Sequence, residues 1–181
     1  MIFCPSGTSG TGSLNGGVTE FCPSPENPAR YFTEIIVNGN LVIPPQKPPK
    51  SRIVKVTHQV TLRDVETLPV ILPGSTTPAG YKIIVSGTLT LFIQYVADVP
   101  DQKVHVVHYE LPFNGIIIRD CALNTSVFLI PPGDPILPDN FVAHVCVEKL
   151  RITQIDSRTL SKEIVLMLWV EQKPTTLLKE D

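Results

Sequence analysis

A chain of 181 residues is long enough for one globular domain with a tail, and 43% hydrophobic and 18% charged residues are typical of a folded protein. The 15 basic and 17 acidic side chains leave a net charge of −2, so no basic excess exists to neutralise phosphates, and we expect no nucleic-acid partner. The 18 prolines exclude long helices, because an interior proline costs about 3 kcal/mol. No apolar run approaches the roughly 20 residues of a transmembrane helix, and residues 1–5 lack the pattern of a secretory signal. We therefore expect no membrane partner and no signal peptide.

The composition of residues 1–30 predicts an N-terminal arm. Of residues 1–29, 16 are Gly, Pro, Ser or Thr, and only Glu20 and Glu26 are charged. Such a segment cannot bury enough apolar surface to become ordered alone. One interpretation is a flexible terminus without a further role.

A short repeat in this arm supports a second interpretation, a docking arm. The tetrapeptide Phe-Cys-Pro-Ser occurs at residues 3–6 and again at residues 21–24. Phe3 and Phe21 are the candidate docking residues, because an aromatic ring can fill a pocket while the adjacent thiol forms a covalent bond. Fully extended, the arm spans at most roughly 100 Å, which reaches a neighbouring subunit.

From Phe32 onward, apolar residues recur with the period of two that is typical of β-strands. The predicted strands, in chain order, cover residues 32–37, 41–43, 53–62, 81–96, 104–113, 116–119, 127–130, 141–155 and 162–170. The strands 81–96 and 104–113 are predicted to pair antiparallel, and so are the last two. The sequence predicts an all-β fold, a β-sandwich or jelly roll of roughly eight strands. The predicted divisions are an arm at 1–30, the sandwich domain at 31–174 and a tail at 175–181.

Turn residues divide these strands. Asn38-Gly39 predicts a tight hairpin, because this pair tolerates the positive φ angles of a type I′ turn. The proline-rich stretch 44–49 predicts an edge or a crossover, and Gly87 predicts a bend or bulge. In strand 53–62, Val54 is predicted to share one face with Val56, Val60 and Leu62. The remaining predicted breaks are a loop marked by Pro69, Pro73, Gly74 and Pro78, a turn at 98–101, a strand end at Asn114-Gly115, a loop at 131–135 and a turn at 156–158.

The sequence contains no pattern that indicates catalysis or a cofactor. There is no phosphate-binding glycine loop and no nucleophile elbow. His105 and His108 are three residues apart, which places them on opposite faces of a strand. His144 and Cys146 share a face and form a weak zinc half-site, against the alternative of a buried thiol beside a satisfied histidine. Trp169, the single tryptophan, is predicted to lie in the core.

Four cysteines are the candidate disulfide residues: Cys4 and Cys22 in the arm, and Cys121 and Cys146 in the domain. Either two are inert buried thiols and two are free, or the arm cysteines bond to body cysteines of a neighbouring subunit. Four cysteines allow three intrachain pairings and further intermolecular ones, so the connectivity stays open.

Several stretches resemble the SPOCS domain, which occurs in spore coat and spore-surface proteins of anaerobic endospore-forming bacteria. The resemblance covers residues 31–120 well and residues 121–174 loosely. The stretches that carry it are Phe32-Thr33-Glu34, Ile43 to Pro48, Tyr81 to Leu89, Ile93 to Asp98, Val104-His105 and Glu110 to Phe113.

The resemblance implies a non-enzymatic structural or morphogenetic role in the outer layers of the spore. Some relatives carry a LysM module, which we do not expect in this chain. Its cysteine-bearing arm is similar in concept to the N-terminal arms of spore appendage subunits. The resemblance also implies synthesis in the mother-cell cytoplasm without a signal peptide, followed by assembly at the spore surface.

Together these inferences predict a structural subunit that self-assembles head-to-tail into a filament or lattice, with disulfides that lock the arm on neighbouring subunits. The expected partners are further copies of the chain and other spore coat proteins. The alternative is a morphogenetic adaptor that binds another coat protein without polymerising. A carbohydrate-binding module and an enzyme are weaker alternatives.

Overall fold

The computed structural model describes residues 10–11, 20–29, 31–101, 103–117 and 141–172. Within these residues the chain forms eight strands and no helix, which confirms the predicted all-β class; it accordingly has no helix that could span a membrane. The strands are β1 (Gly10–Thr11), β2 (Tyr31–Ile36), β3 (Gly39–Val42), β4 (Lys50–Ile71), β5 (Pro78–Ala97), β6 (Val104–Ile117), β7 (Phe141–Gln154) and β8 (Thr159–Gln172).

The strands form two antiparallel sheets. In the first sheet β5 lies between β4 and β6, and the two-residue strand β1 pairs with the outer edge of β4. In the second sheet β8 is central, with β7 on one edge and both β2 and β3 on the other. The predicted pairings of β5 with β6 and of β7 with β8 are confirmed.

Apolar side chains of alternating residues fill the space between the sheets. The first sheet contributes fully buried Val85, Leu89, Leu91 and Ile93, and the second contributes Leu160, Ile164, Leu166 and Leu168. At Gly115 the two sheets approach closely, because a Cβ there would lie 2.6 Å from Leu168 Cδ1. Burial of each such aliphatic side chain contributes roughly 1.5–3 kcal/mol, so this core is the main source of stability.

The predicted hairpin at Asn38-Gly39 is wrong. β2 and β3 both pair with β8 in one unbroken register, with Ile36 opposite Val165 and Gly39 opposite Lys162. The Asn-Gly pair interrupts an edge strand without reversing it, with Gly39 at φ 132°. Lys162 Nζ lies 3.1 Å from where a Cβ of Gly39 would be and donates a hydrogen bond to the Asn38 carbonyl at 3.0 Å. The glycine therefore makes room for a buried lysine.

Two predicted strand ends are also wrong. β4 continues through Pro69, opposite Tyr81 of β5, to Ile71, because a proline is tolerated near the edge of a sheet. β6 continues through Asn114-Gly115 to Ile117, because Gly115 there serves the close packing of the sheets rather than a turn.

Four register shifts interrupt the pairing of β4 with β5, and two of them bear on the predictions. A bulge between Ile53 and Lys55 leaves Val54 without a cross-strand partner and 53% exposed, so the face that it was predicted to share with Val56, Val60 and Leu62 is wrong. A second bulge follows Leu62 directly opposite Gly87, which confirms the irregularity predicted at that glycine.

The proline-rich stretch 44–49 is a crossover between the two sheets, as predicted. It packs against the turn at 156–158, which joins β7 to β8 as predicted, and the turn at 98–101 joins β5 to β6. We call this region, comprising the crossover, Lys50 and the turn 156–158, the crossover end. The predicted strand 127–130, the loop 131–135 and the tail 175–181 lie outside the described residues.

Candidate docking site for the N-terminal segment

Residues 20–29, here called the N-terminal segment, contact the outer face and free edge of the second sheet. Their contacts centre on β7 and β8, where alternation turns His144 and Cys146 outward. Trp169 of β8 lies directly across from His144 in the ladder. We call the surface formed by His144, Val145, Cys146 and Trp169 the docking site.

Trp169 is fully buried although it points away from the core between the sheets. Its chain neighbours Leu168 and Val170 belong to that core, whereas the indole is covered from outside. The ring of Phe21 stacks on it with centroids 5.6 Å apart, and the His144 ring lies 4.7 Å away. Trp169 Nε1 donates a hydrogen bond to the Phe21 carbonyl at 2.9 Å. The predicted burial is therefore correct, but the N-terminal segment provides part of it.

A disulfide between Cys22 and Cys146 fixes the segment covalently, with the two Cα atoms 4.7 Å apart. Beside it, the Phe21 N–H donates to the Val145 carbonyl at 3.0 Å. Cys146 is buried, whereas Cys22 is exposed. The bond joins an arm cysteine to a body cysteine of the same chain, and the predicted bonds between subunits stay a prediction.

Two carboxylates complete the contact. Glu20 bridges the two sheets, since one oxygen accepts from the Val147 N–H at 3.0 Å and the other lies 2.6 Å from His58 Nε2 on β4. Glu171 accepts from Asn27 Nδ2 at 2.9 Å and pairs with His144 Nε2 at 2.8 Å.

The other candidate residues do not converge. Cys146 is in a disulfide and offers no thiolate to a zinc ion, and within the described residues no three metal-ligating side chains cluster. His105 stacks on Tyr95 on the inner face of β6, whereas His108 is exposed on the other face, as predicted. Phe3, Cys4 and Cys121 lie outside the described residues.

Sequence reasoning missed Glu20, His58 and Glu171, because their partners are distant in the chain. The position of Trp169 was readable from the sequence. Alternation along β8 assigns Leu168 and Val170 to one face and Trp169 to the other. A large apolar ring on the outer face indicates that another segment of the protein packs over it.

The described chain is thus a two-sheet antiparallel β-protein whose N-terminal segment is bonded to the outer face of one sheet. Residues 51–125 match the family model described as "SipL, SPOCS domain". The resemblance to the SPOCS family is therefore confirmed over this stretch, and it indicates a spore-associated protein. The matched stretch contains most of β4 and all of β5 and β6, whereas the docking site on β7 and β8 lies beyond it. No curated protein and no solved structure matches the chain.

Proposed function

We propose that this protein is a non-enzymatic structural subunit that self-assembles into a polymer, a filament or a lattice, at the spore surface. Its N-terminal arm docks head-to-tail on neighbouring subunits, and disulfides lock the contact. The observation that carries the proposal is the docking site, where a segment of linker-like composition is held by a stacked ring and a disulfide.

The contacts of the segment are separable from the fold, which supports a role in docking. Phe21 is 43% exposed, and the core between the sheets is formed by residues from Tyr31 onward. A neighbouring chain can supply the same segment to the same site, as in domain swapping, without any change in the sandwich.

The positions of buried charged side chains support a structural role rather than an enzymatic one. Lys50 and Lys162 are almost completely buried, and both donate to backbone carbonyls. Arg158 likewise donates to two carbonyls of the crossover. These side chains hold the chain in shape and are not directed at a ligand.

The SPOCS domain supports the spore surface as the location. Under this proposal the chain is made in the mother-cell cytoplasm without a signal peptide and assembles around the forespore. Its partners are further copies of itself and other spore coat proteins.

Electron microscopy and size-exclusion chromatography of the purified full chain at high concentration test the proposal. We expect polymers from the full chain and none after removal of residues 1–29. A chain lacking only residues 1–19 keeps the docked segment, so it serves as the control for folding. Polymers that are unchanged without residues 1–29 would contradict the role of the arm.

One observation favours the alternative, a coat adaptor that does not polymerise. The Cys22–Cys146 bond within one chain uses both the arm cysteine and the body cysteine. Neither is then available to bond to a second subunit. An adaptor of this kind stays monomeric or dimeric at every concentration, so the same chromatography distinguishes the two functions.

A further inference from the structure

The docking site has a second candidate occupant in the same sequence. Residues 3–6 repeat the tetrapeptide of residues 21–24, which occupies the site in the structure. We propose that the docking site also accepts the Phe3-Cys4 unit of a second copy of the chain, in exchange for the resident Phe21-Cys22 unit. This inference rests on the proposed function and deepens it by naming donor and acceptor.

The repeated residues provide the contacts that define the resident unit. The Phe21 ring stacks on Trp169, its N–H donates to Val145, and its carbonyl accepts from the indole. The sulfur of Cys22 bonds to Cys146. A phenylalanine followed by a cysteine supplies all of these groups, so the unit at residues 3–4 can form the same contacts.

The residue before each unit distinguishes the two. Glu20 precedes Phe21 and adds contacts to Val147 and His58, whereas Ile2 precedes Phe3 and has no carboxylate. The resident unit therefore holds the site in an isolated chain. Exchange requires the high local concentration of second copies that an assembly provides. Between Cys4 and Cys22 the extended chain spans at most roughly 60 Å, which allows Cys4 to reach a neighbour.

The covalent step needs no external oxidant. As the resident unit lifts, the Cys4 thiolate of the second copy attacks the Cys146 sulfur of the Cys22–Cys146 bond. A Cys4–Cys146 bond forms between chains, and Cys22 leaves as a thiolate that takes a proton from water. One disulfide replaces another, so electrons balance. The exposed position of Cys22 allows solvent to stabilise the leaving thiolate.

The test uses the full chain with Cys22→Ser, which removes the resident thiol. Equal amounts of ¹⁴N- and ¹⁵N-labelled chains are mixed, oxidised with glutathione disulfide and digested, and the disulfide-linked peptides are identified by mass spectrometry. We expect Cys4–Cys146 peptides of mixed isotope, together with a covalent ladder on a non-reducing gel. The matched control, Cys4→Ser combined with Cys22→Ser, should yield neither.

The contribution of the ring is tested by Phe3→Ala in the Cys22→Ser background. Loss of the stacked ring should slow Cys4–Cys146 formation about tenfold, since an aromatic pair and its buried area together correspond to at least that factor. Leu14→Ala, in the spacer, should leave the rate unchanged. An equal rate for Phe3→Ala would overturn recognition of the unit by the docking site.

The outcomes separate this inference from the proposed function. Polymers whose Cys4 is bonded to Cys121, or Cys4–Cys146 bonds within single chains only, overturn the inference and leave the proposed function intact. Cys4–Cys146 bonds in discrete dimers support the inference and count against polymerisation. A chain that neither polymerises nor bonds through Cys4 overturns both.

Discussion

The docking site and the crossover end both connect the N-terminal part of the chain to β7 and β8, but they do so by different chemistry. At the crossover end the buried Lys50 ammonium donates to the carbonyls of Asp156 and Thr159. Arg158 reaches back to two carbonyls within Pro44–Lys47, at 3.2 and 3.1 Å. At the docking site the connection is a disulfide, a stacked ring and two carboxylates.

The crossover end belongs to the fold itself, whereas the contacts of the docking site lie outside the core between the sheets. If a side-chain donor at the crossover end is removed while the region stays closed, a buried carbonyl that has no other donor is left unsatisfied, at a cost of about 1–3 kcal/mol. The N-terminal segment lies outside the core between the sheets, which is formed by residues from Tyr31 onward. We therefore expect damage at the crossover end to destabilise the folded sandwich directly. Loss of the non-covalent contacts at the docking site should release a segment, whereas loss of its disulfide should lower stability through the unfolded chain.

The largest effect is expected from removal of the disulfide. The double variant Cys22→Ser with Cys146→Ser should lose about 2–5 kcal/mol of unfolding free energy, because the bond joins residues 124 positions apart and restricts the unfolded chain. Urea denaturation measures this loss, and wild-type protein in reductant is the control. Equal stability of the variant and the oxidised wild type would show that the bond does not form.

The next largest effect is expected at Lys50, which is 1% exposed. Lys50→Met keeps most of the buried side-chain stem but removes the Nζ donor from the Asp156 carbonyl, whereas the Thr159 carbonyl keeps the N–H groups of Ile155 and Asp156. The unfolding free energy should therefore fall by about 1–3 kcal/mol. Lys55→Met, exposed on the same strand, is the matched control and should change little. A small effect at Lys50 would remove the contrast between the two regions.

A smaller and local effect is expected at Phe21. Phe21→Ala should cost about 1–2 kcal/mol, because the ring is only half buried. Trp169, the single tryptophan, should then shift its fluorescence emission to longer wavelength as the indole contacts water. Lys50→Met should lower stability without this shift under native conditions. A shift of equal size in both variants would contradict independent behaviour of the two regions.

The sequence could predict most of the fold because alternation of apolar residues directly reports burial in a two-sheet protein. β5, β6, β7 and β8 follow from that pattern alone, and the turn at 156–158 follows from its polar residues. Two of the errors lie where a glycine has a packing role: Gly39 accommodates Lys162, and Gly115 lies against Leu168. Local sequence cannot distinguish a glycine that turns the chain from one that makes space.

The candidate site was predictable only in its chemistry. Phe21 and Cys22 indicated an aromatic and covalent attachment, but the acceptor depends on register. Cys146 lies next to Cys22 because the register of β7 and β8 places His144 opposite Trp169, on which Phe21 stacks. The spacing of residues along the chain does not specify this register. The same limit applies to Glu20, whose two partners lie on different sheets.

The smallest effect is expected from the exposed carboxylate of Asp156 in the turn at the crossover end. The Arg158 backbone N–H, followed by hydrogen bonds from Thr159, lowers the pKa of this carboxyl below its usual value of 3.8. A lowered folded-state pKa means that the ionised group stabilises the fold fully above pH 3.8, and that this stabilisation disappears as the pH falls through the folded-state pKa. Asp156→Asn should therefore flatten the acid limb of stability against pH, measured by urea denaturation between pH 2 and pH 6. Asp101→Asn, which removes a carboxylate from an exposed ion pair with Lys103, is the control for loss of a surface charge. An unchanged acid limb in Asp156→Asn would mean that the carboxylate does not hold this turn, and that its connection to β8 depends on Lys50 and Arg158 alone.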